Sequence, residues 1–222
     1  MLLSCSDEYD LTSSRPGGQP INLSGQISQE NLTRANDYGF VTGDRMGVYI
    51  VDYDNGQPGL PSLDSRAANL LYTFDGDNYH WSSPTPVYWR DEQTPVDVYG
   101  YYPGVNYIAA PTAYNFEVQA DQSKEAANGD LSGYEQSDLL WGKVTKVTPT
   151  TEVINVKMQH RLAGVRVHLT KGTGLTATEW QKLERIVSVD NTVRTATVNL
   201  VFEPEWTKDM MSEEAKLDLG FM

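Results

Sequence analysis

Apolar and polar residues alternate with a period of two along several short stretches of this chain, the signature of half-buried strands. Ile21, Leu23, Gly25 and Ile27 alternate with Asn22, Ser24 and Gln26. Residues 45–53 place Met46, Val48 and Ile50 on one face and Tyr49, Val51 and Tyr53 on the other. A strand that is apolar on both faces belongs in the middle of a sandwich. Residues 70–74 and 78–81 flank Asp75-Gly76-Asp77, and an Asp-Gly pair between two such runs predicts a hairpin. Residues 87–89, 96–102, 114–119 and 138–144 continue the series, each bounded by Pro, Gly, Asn or Asp. Residues 152–160 align Ile154, Val156 and Met158, and residues 162–170 align Val165, Val167 and Leu169 after a break at Gly164. These two stretches read as one long bent strand or a tight pair. Residues 195–202 and 216–221 are the last strand candidates.

One helix is predicted, over residues 177–186. Thr176 opens it with Glu179 three residues on, the spacing of a capping box, and Trp180, Leu183 and Ile186 or Val187 form one stripe. Many short strands with turn residues between them predict a mostly β fold of sandwich type. The expected organisation is a leader, linker and first strand over residues 1–36 and an N-terminal β-sandwich domain over 37–170. Residues 171–222 are then the start of a second, incomplete β domain carrying the helix.

Composition agrees with a β-rich globular chain: 39% of residues are hydrophobic, and 13 tyrosines stand against 5 phenylalanines. Charge narrows the partners. Seventeen Lys and Arg against thirty Asp and Glu leave a formal net charge of −13, which repels a phosphate backbone, so nucleic acid is not an expected partner. No stretch approaches the roughly 20 apolar residues of a spanning helix. The single cysteine, Cys5, excludes an internal disulfide framework.

Leu2-Leu3-Ser4-Cys5 resembles a bacterial lipobox, and Ser6-Asp7-Glu8 after it resembles the acidic export signal of Bacteroides surface lipoproteins. Lipidation at Cys5 would hold an acidic domain at a membrane, since each buried CH₂ contributes about 0.8 kcal/mol. Met1 leaves no room for the basic and apolar regions of a signal peptide, so this reading expects a longer precursor. The competing reading is an unmodified cysteine in a leader. Between Asp10 and Pro20 the composition is that of a linker.

Candidate chemistry is sparse. The chain has no G-x-S-x-G, H-E-x-x-H, Gly-rich phosphate loop or C-x-x-C pattern, so it is read as non-enzymatic and no cofactor is implied. His160 and His168 would face each other across a bent strand pair, but a structural metal site wants three or four ligands, and no metal is expected. Asp52, Asp54, Asn55 and Gly56, and likewise Asp75, Asp77 and Asn78, have the composition of calcium loops but the spacing of ordinary turns. Trp89 and Trp141 are the candidates for stacking against sugar rings, although aromatics alternating on strands more often form core pairs.

An ordered set of segments resembles the fimbrillin family of Bacteroides-type pili, including its Mfa-like branch. The segments are Cys5 to Glu8, Leu32-Thr33-Arg34-Ala35, Gly43-Asp44-Arg45-Met46-Gly47-Val48-Tyr49, Val87-Tyr88-Trp89, Val98-Tyr99-Gly100-Tyr101-Tyr102-Pro103, Asp138-Leu139-Leu140-Trp141-Gly142, and Met158-Gln159-His160-Arg161-Leu162-Ala163-Gly164-Val165. The resemblance implies a transthyretin-like β-sandwich as the N-terminal domain. It also implies a stalk, tip or anchor subunit exported to the outer membrane as a lipoprotein and joined to other pilus subunits by donor-strand exchange. In that scheme an arginine-specific protease cuts after the first strand, and the vacated groove accepts a neighbour's strand, a form of β-augmentation. Ile21, Leu23 and Ile27 would belong to the removable strand and Arg34 would be the processing site. Family members usually carry a second β-sandwich that supplies the donor, and anchor subunits keep their lipid uncut, so Cys5 and Arg34 need not both be used. The alternative function is a cell-surface glycan-binding lipoprotein.

Overall fold

A computed structural model of the chain describes residues 18–28, 39–127, 130–162, 167–183, 186–189 and 192–201. Strands dominate them. They are β1 Leu23–Ile27, β2 Arg45–Asp54, β3 Gln57–Pro58, β4 Ala67–Asp75, β5 His80–Ser82, β6 Val96–Tyr102, β7 Tyr114–Glu117, β8 Leu140–Val147, β9 Ile154–His160 and β10 Thr195–Val198. Two short helices, α1 Gly133–Gln136 and α2 Ala177–Lys182, complete the described elements.

The expected mostly β architecture is present as two sheets. The larger has the order β1-β9-β8-β6-β2-β4-β5, with β3 paired to β2, and the smaller is the antiparallel pair β10-β7. β2 and β6, predicted from their sequence patterns, are the central strands. Each is hydrogen-bonded on both sides, and β6 is buried at every position. The larger sheet curls so that its two ends approach each other. Its inner face forms one core from Ile21 and Leu23, Met46, Val48 and Ile50, Tyr72 and Phe74, Trp81, Val96 and Val98, and Ile154, Val156 and Met158. Its outer face carries Tyr49, Val51, Tyr99, Tyr101 and Trp141, which pack with Phe116, Val198 and Leu200 in a second core beneath the smaller sheet. Residues 195–201, C-terminal to the boundary expected at 170, therefore pack on the same sandwich.

Turns follow local chemistry. The β2–β3 turn holds Asn55 at φ 48° and Gly56 at φ 77°, the pair of positive values that a tight twisted hairpin requires. In the Asp75 turn the carboxylate accepts hydrogen bonds from the Asp77 N–H at 3.1 Å and the Asn78 side-chain amide at 2.7 Å. Both acidic loops are thus built as hairpin turns. A register shift between β6 and β8 at Val96 and Val98 accompanies Asp97, which is 1% exposed. That carboxylate accepts the Lys146 N–H at 2.8 Å and lies 3.1 Å from the Lys143 ammonium, so the buried charge is both paired and hydrogen-bonded.

Several expectations are corrected. The helix ends at Lys182 instead of 186, and Leu183, Ile186 and Val187 are 44%, 75% and 44% exposed. The capping box of Thr176 and Glu179 forms as predicted, but the apolar positions beyond Trp180 are exposed, and burial is what extends a short helix. A second helix, α1, went unpredicted although Ser132 and Glu135 carry the same capping signature. Residues 87–89 reduce to a single bridge between Pro20 and Tyr88. Of the strand expected over 162–170, the described residues 167–170 contain no strand. Residues 216–221 lie outside the described residues.

Close packing of β8 on β9 is testable at Gly142, where a Cβ would overlap the Lys157 carbonyl oxygen. Backbone cannot yield as a side chain can, so Gly142→Ala is expected to cost about 1–3 kcal/mol or more. Gly172→Ala, with open space around it, should stay within about 0.5 kcal/mol. Urea denaturation midpoints of the two variants check this, and equal midpoints would contradict the packing.

Candidate functional site

The lead-in to the first strand is held by residues 87–89. The Gly18 and Ile21 N–H groups donate to the carbonyls of Trp89 and Val87 at 3.3 and 2.7 Å, and the Trp89 N–H donates to the Gln19 carbonyl at 3.0 Å. The chain then crosses to β9. There the Ile154 N–H donates to the Asn22 carbonyl at 2.9 Å and the Ser28 N–H to the Met158 carbonyl at 2.7 Å. Between these points β1 runs parallel to β9, with Leu23 opposite Ile154, Gly25 opposite Val156 and Ile27 opposite Met158. β1 is an edge strand, paired among the described residues with β9 alone.

Its alternate side chains complete the main core. Ile21 and Leu23 are 3% and 4% exposed, and Ile27 is partly buried against the same cluster. Across the seam the Trp81 indole N–H donates to the Gly25 carbonyl at 3.1 Å. β5, the other edge of the sheet, is thereby tied to β1 by a side chain and not by a ladder. A groove of about 320 Å³ follows this seam, bordered by Ile21, Leu23, Tyr72, Trp81 and Val153.

A second cavity, of about 300 Å³, lies at the far end of β1 and is bordered by Ile27, Phe40, Asp44, Tyr102 and His160. Phe40 packs edge-on to Trp81 at 4.8 Å and to Tyr102 at 5.4 Å. Asp44, 4% exposed, accepts the Val41 N–H at 2.7 Å and the Tyr102 hydroxyl at 2.9 Å. Burial pushes its carboxyl above the usual carboxylate range, against the lowering effect of those two donors. Burial also raises the Tyr102 phenol, and the Asp44 carboxylate adds to that rise. His160 Nδ1 lies 2.9 Å from Asp138. Among the described residues no group of three His, Cys, Asp or Glu side chains is arranged to hold a metal ion.

The model of the family described as fimbrillin-like matches residues 33–218, most of the chain. The chain belongs to the fimbrillin-like family. A relative from Bacteroides ovatus, named as fimbrium tip subunit Fim1C, is 28% identical over 185 residues, covering 74% of this chain and 32% of that one. An Fe-S protein maturation auxiliary factor from Porphyromonas gingivalis is 63% identical over only 30 residues, 14% of this chain and 29% of that one. This fimbrillin-like chain thus spans about a third of the length of the curated relatives it matches. Among solved structures, a fimbrial protein from Bacteroides ovatus matches at 19% identity and TM-score 0.44, covering 65% of this chain and 29% of that one. A protein from Bacteroides uniformis described as a cell adhesion protein matches at 17% identity and TM-score 0.43, covering 64% and 47%.

Of the residues singled out in this fimbrillin-like sequence, Ile21, Leu23 and Ile27 come together on the inner face of β1 and its lead-in. Cys5 and Arg34 lie outside the described residues. Trp89 and Trp141 are 2% and 5% exposed. Their indole N–H groups donate to the carbonyls of Thr150 and Leu200, both at 2.8 Å, and the Arg161 guanidinium covers the Trp141 ring at 5.2 Å. Glycan stacking on these two rings is corrected accordingly: they are core residues with no face presented at the surface. The residues that sequence reasoning missed are Trp81 and Asp44, whose partners Gly25 and Tyr102 lie 56 and 58 positions away.

The raised Asp44 carboxyl makes a pH prediction. A group whose folded-state pKa exceeds its unfolded value stabilises fully below the unfolded pKa, about 4, and loses that contribution as pH rises through the folded value. Asp44→Asn keeps an acceptor for Val41 and removes the titration. Thermal melts of both proteins between pH 3 and 7 should therefore show the Asn variant gaining on the parent as pH rises from about 4. A difference that stays constant with pH would contradict the assignment.

Proposed function

We propose that this chain is a structural, non-enzymatic subunit of a bacterial surface fimbrium. In this reading it is exported as a lipoprotein through Cys5, sits at the cell surface, and joins other pilus subunits by exchange of its first strand. The observation that carries the reading is the position of β1. It is an edge strand whose side chains nevertheless fill the main core, so its departure would open a preformed slot lined by Met46, Trp81, Val156 and Met158.

Magnitudes favour a refillable slot over an empty one. Burying a side chain of the Ile or Leu class contributes about 1.5–3 kcal/mol, so withdrawing Ile21 and Leu23 alone costs on the order of 3–6 kcal/mol. That is a large part of the roughly 5–15 kcal/mol that keeps a domain folded. β1 also pairs with β9 in parallel, the slightly weaker ladder per residue. An incoming strand with the same alternation would regain the apolar burial. Membership of the fimbrillin-like family supports a location at the cell surface.

Arg34 supplies the processing step in this scheme. Digestion with an arginine-specific protease is expected to release the N-terminal segment, seen by intact mass, and to let the cleaved chain, mixed with a subunit that carries a matching donor strand, form multimers that resist SDS without boiling. Arg34→Ala should block both events. Complete cleavage after Arg34 that leaves only monomers would falsify the exchange mechanism.

A further inference from the structure

We propose that the slot occupied by β1 requires glycine at its centre. A strand from another subunit then fits only with aliphatic side chains at the positions of Ile21, Leu23 and Ile27 and none at the position of Gly25. This rests on the strand-exchange reading above and adds the sequence of the strand that is accepted.

A Cβ at position 25 would lie 3.0 Å from Met158 Cε, 3.0 Å from Met46 Sδ and 3.3 Å from Trp81 Cε2. Both methionines are fully buried. Their flexible ends can move a few tenths of an ångström, so a single methyl group is accommodated at a cost. The Trp81 ring cannot follow. Its N–H is bonded to the Gly25 carbonyl itself, and Phe40 and Phe74 hold it at centroid distances of 4.8 and 5.1 Å. A β-branched residue at position 25 therefore has no space to enter. The flanking positions have the opposite requirement, because Ile21 and Leu23 are almost completely enclosed and smaller residues there would leave cavities.

The pattern large-x-large-x-Gly-x-large occurs in only one other place among the 222 residues, at Val96, Val98, Gly100 and Tyr102. There too the glycine thins the layer, with a Cβ reaching to 3.1 Å from Val156 Cγ1. That segment is β6, bonded to β8 and β2 on its two edges, and is not free to leave.

The test uses the full chain carrying Leu23→Asp, which weakens its own β1 without removing it. Fluorescent synthetic peptides with the sequence of residues 20–28, bearing Gly, Ala or Val at the position of Gly25, are titrated and followed by anisotropy. The Ala peptide should bind about tenfold more weakly than the Gly peptide, and the Val peptide at least about a hundredfold more weakly. Equal binding of the Gly and Val peptides overturns the glycine rule while leaving strand exchange standing. Failure of every peptide to bind overturns strand exchange, and the intersubunit rule with it. In the otherwise unaltered chain, Gly25→Val should lower Tm well beyond Gly25→Ala, and an unchanged Tm for Gly25→Val also overturns the rule.

Discussion

The structure depends on the closing of one seam. An eight-stranded sheet with β1 at one end and β5 at the other curls around a single apolar core, and where the ends meet no backbone ladder joins them. What joins them is side-chain burial: Ile21 and Leu23 from one end, Trp81 and Phe74 from the other, with Met46 and Met158 between. A directional bond across the gap, from the Trp81 indole to the Gly25 carbonyl, also satisfies a polar N–H that would otherwise be buried without a partner.

A seam closed by burial has different consequences from one closed by hydrogen bonds. Apolar contact is non-directional and scales with area, so any strand that presented the same alternation would restore most of the free energy lost if β1 left. Specificity then has to come from shape. At this seam shape is most restrictive at Gly25, where three large side chains converge on a space without a methyl group. The same residues therefore close the fold and, under the strand-exchange proposal, would select what replaces its first strand.

Buried carboxylates in the sandwich are partnered in specific ways. Asp97 has a lysine and a backbone N–H, and Asp44 has a tyrosine hydroxyl and a backbone N–H. Many of the large aromatic positions in the two cores are tyrosines. Burial pushes Tyr49, Tyr72 and Tyr114 up to about 12 and raises Tyr101 further, so these rings stay neutral and act as large apolar bodies with one polar tip.

Much of the fold was legible in the sequence because strand signals are local. Period-two alternation marked β1, β2, β6 and β9, the Asp-Gly pair marked the β4–β5 hairpin, and apolar residues on both faces marked β2 as central. Local signals also had limits. The Thr176 capping box marked where α2 starts but not how far it runs, since its length depends on what packs against Leu183 and Ile186. Two aromatic residues that alternation left open as surface platforms, Trp89 and Trp141, proved to be core, because only a partner layer determines which face of a strand is covered. The sequence by itself therefore determined most of the strands, their turns and the apolar face of the first one. Only the tertiary structure decided that this face closes the sheet on itself and that Gly25 meets Trp81, because those contacts join residues more than fifty positions apart and no local pattern encodes them.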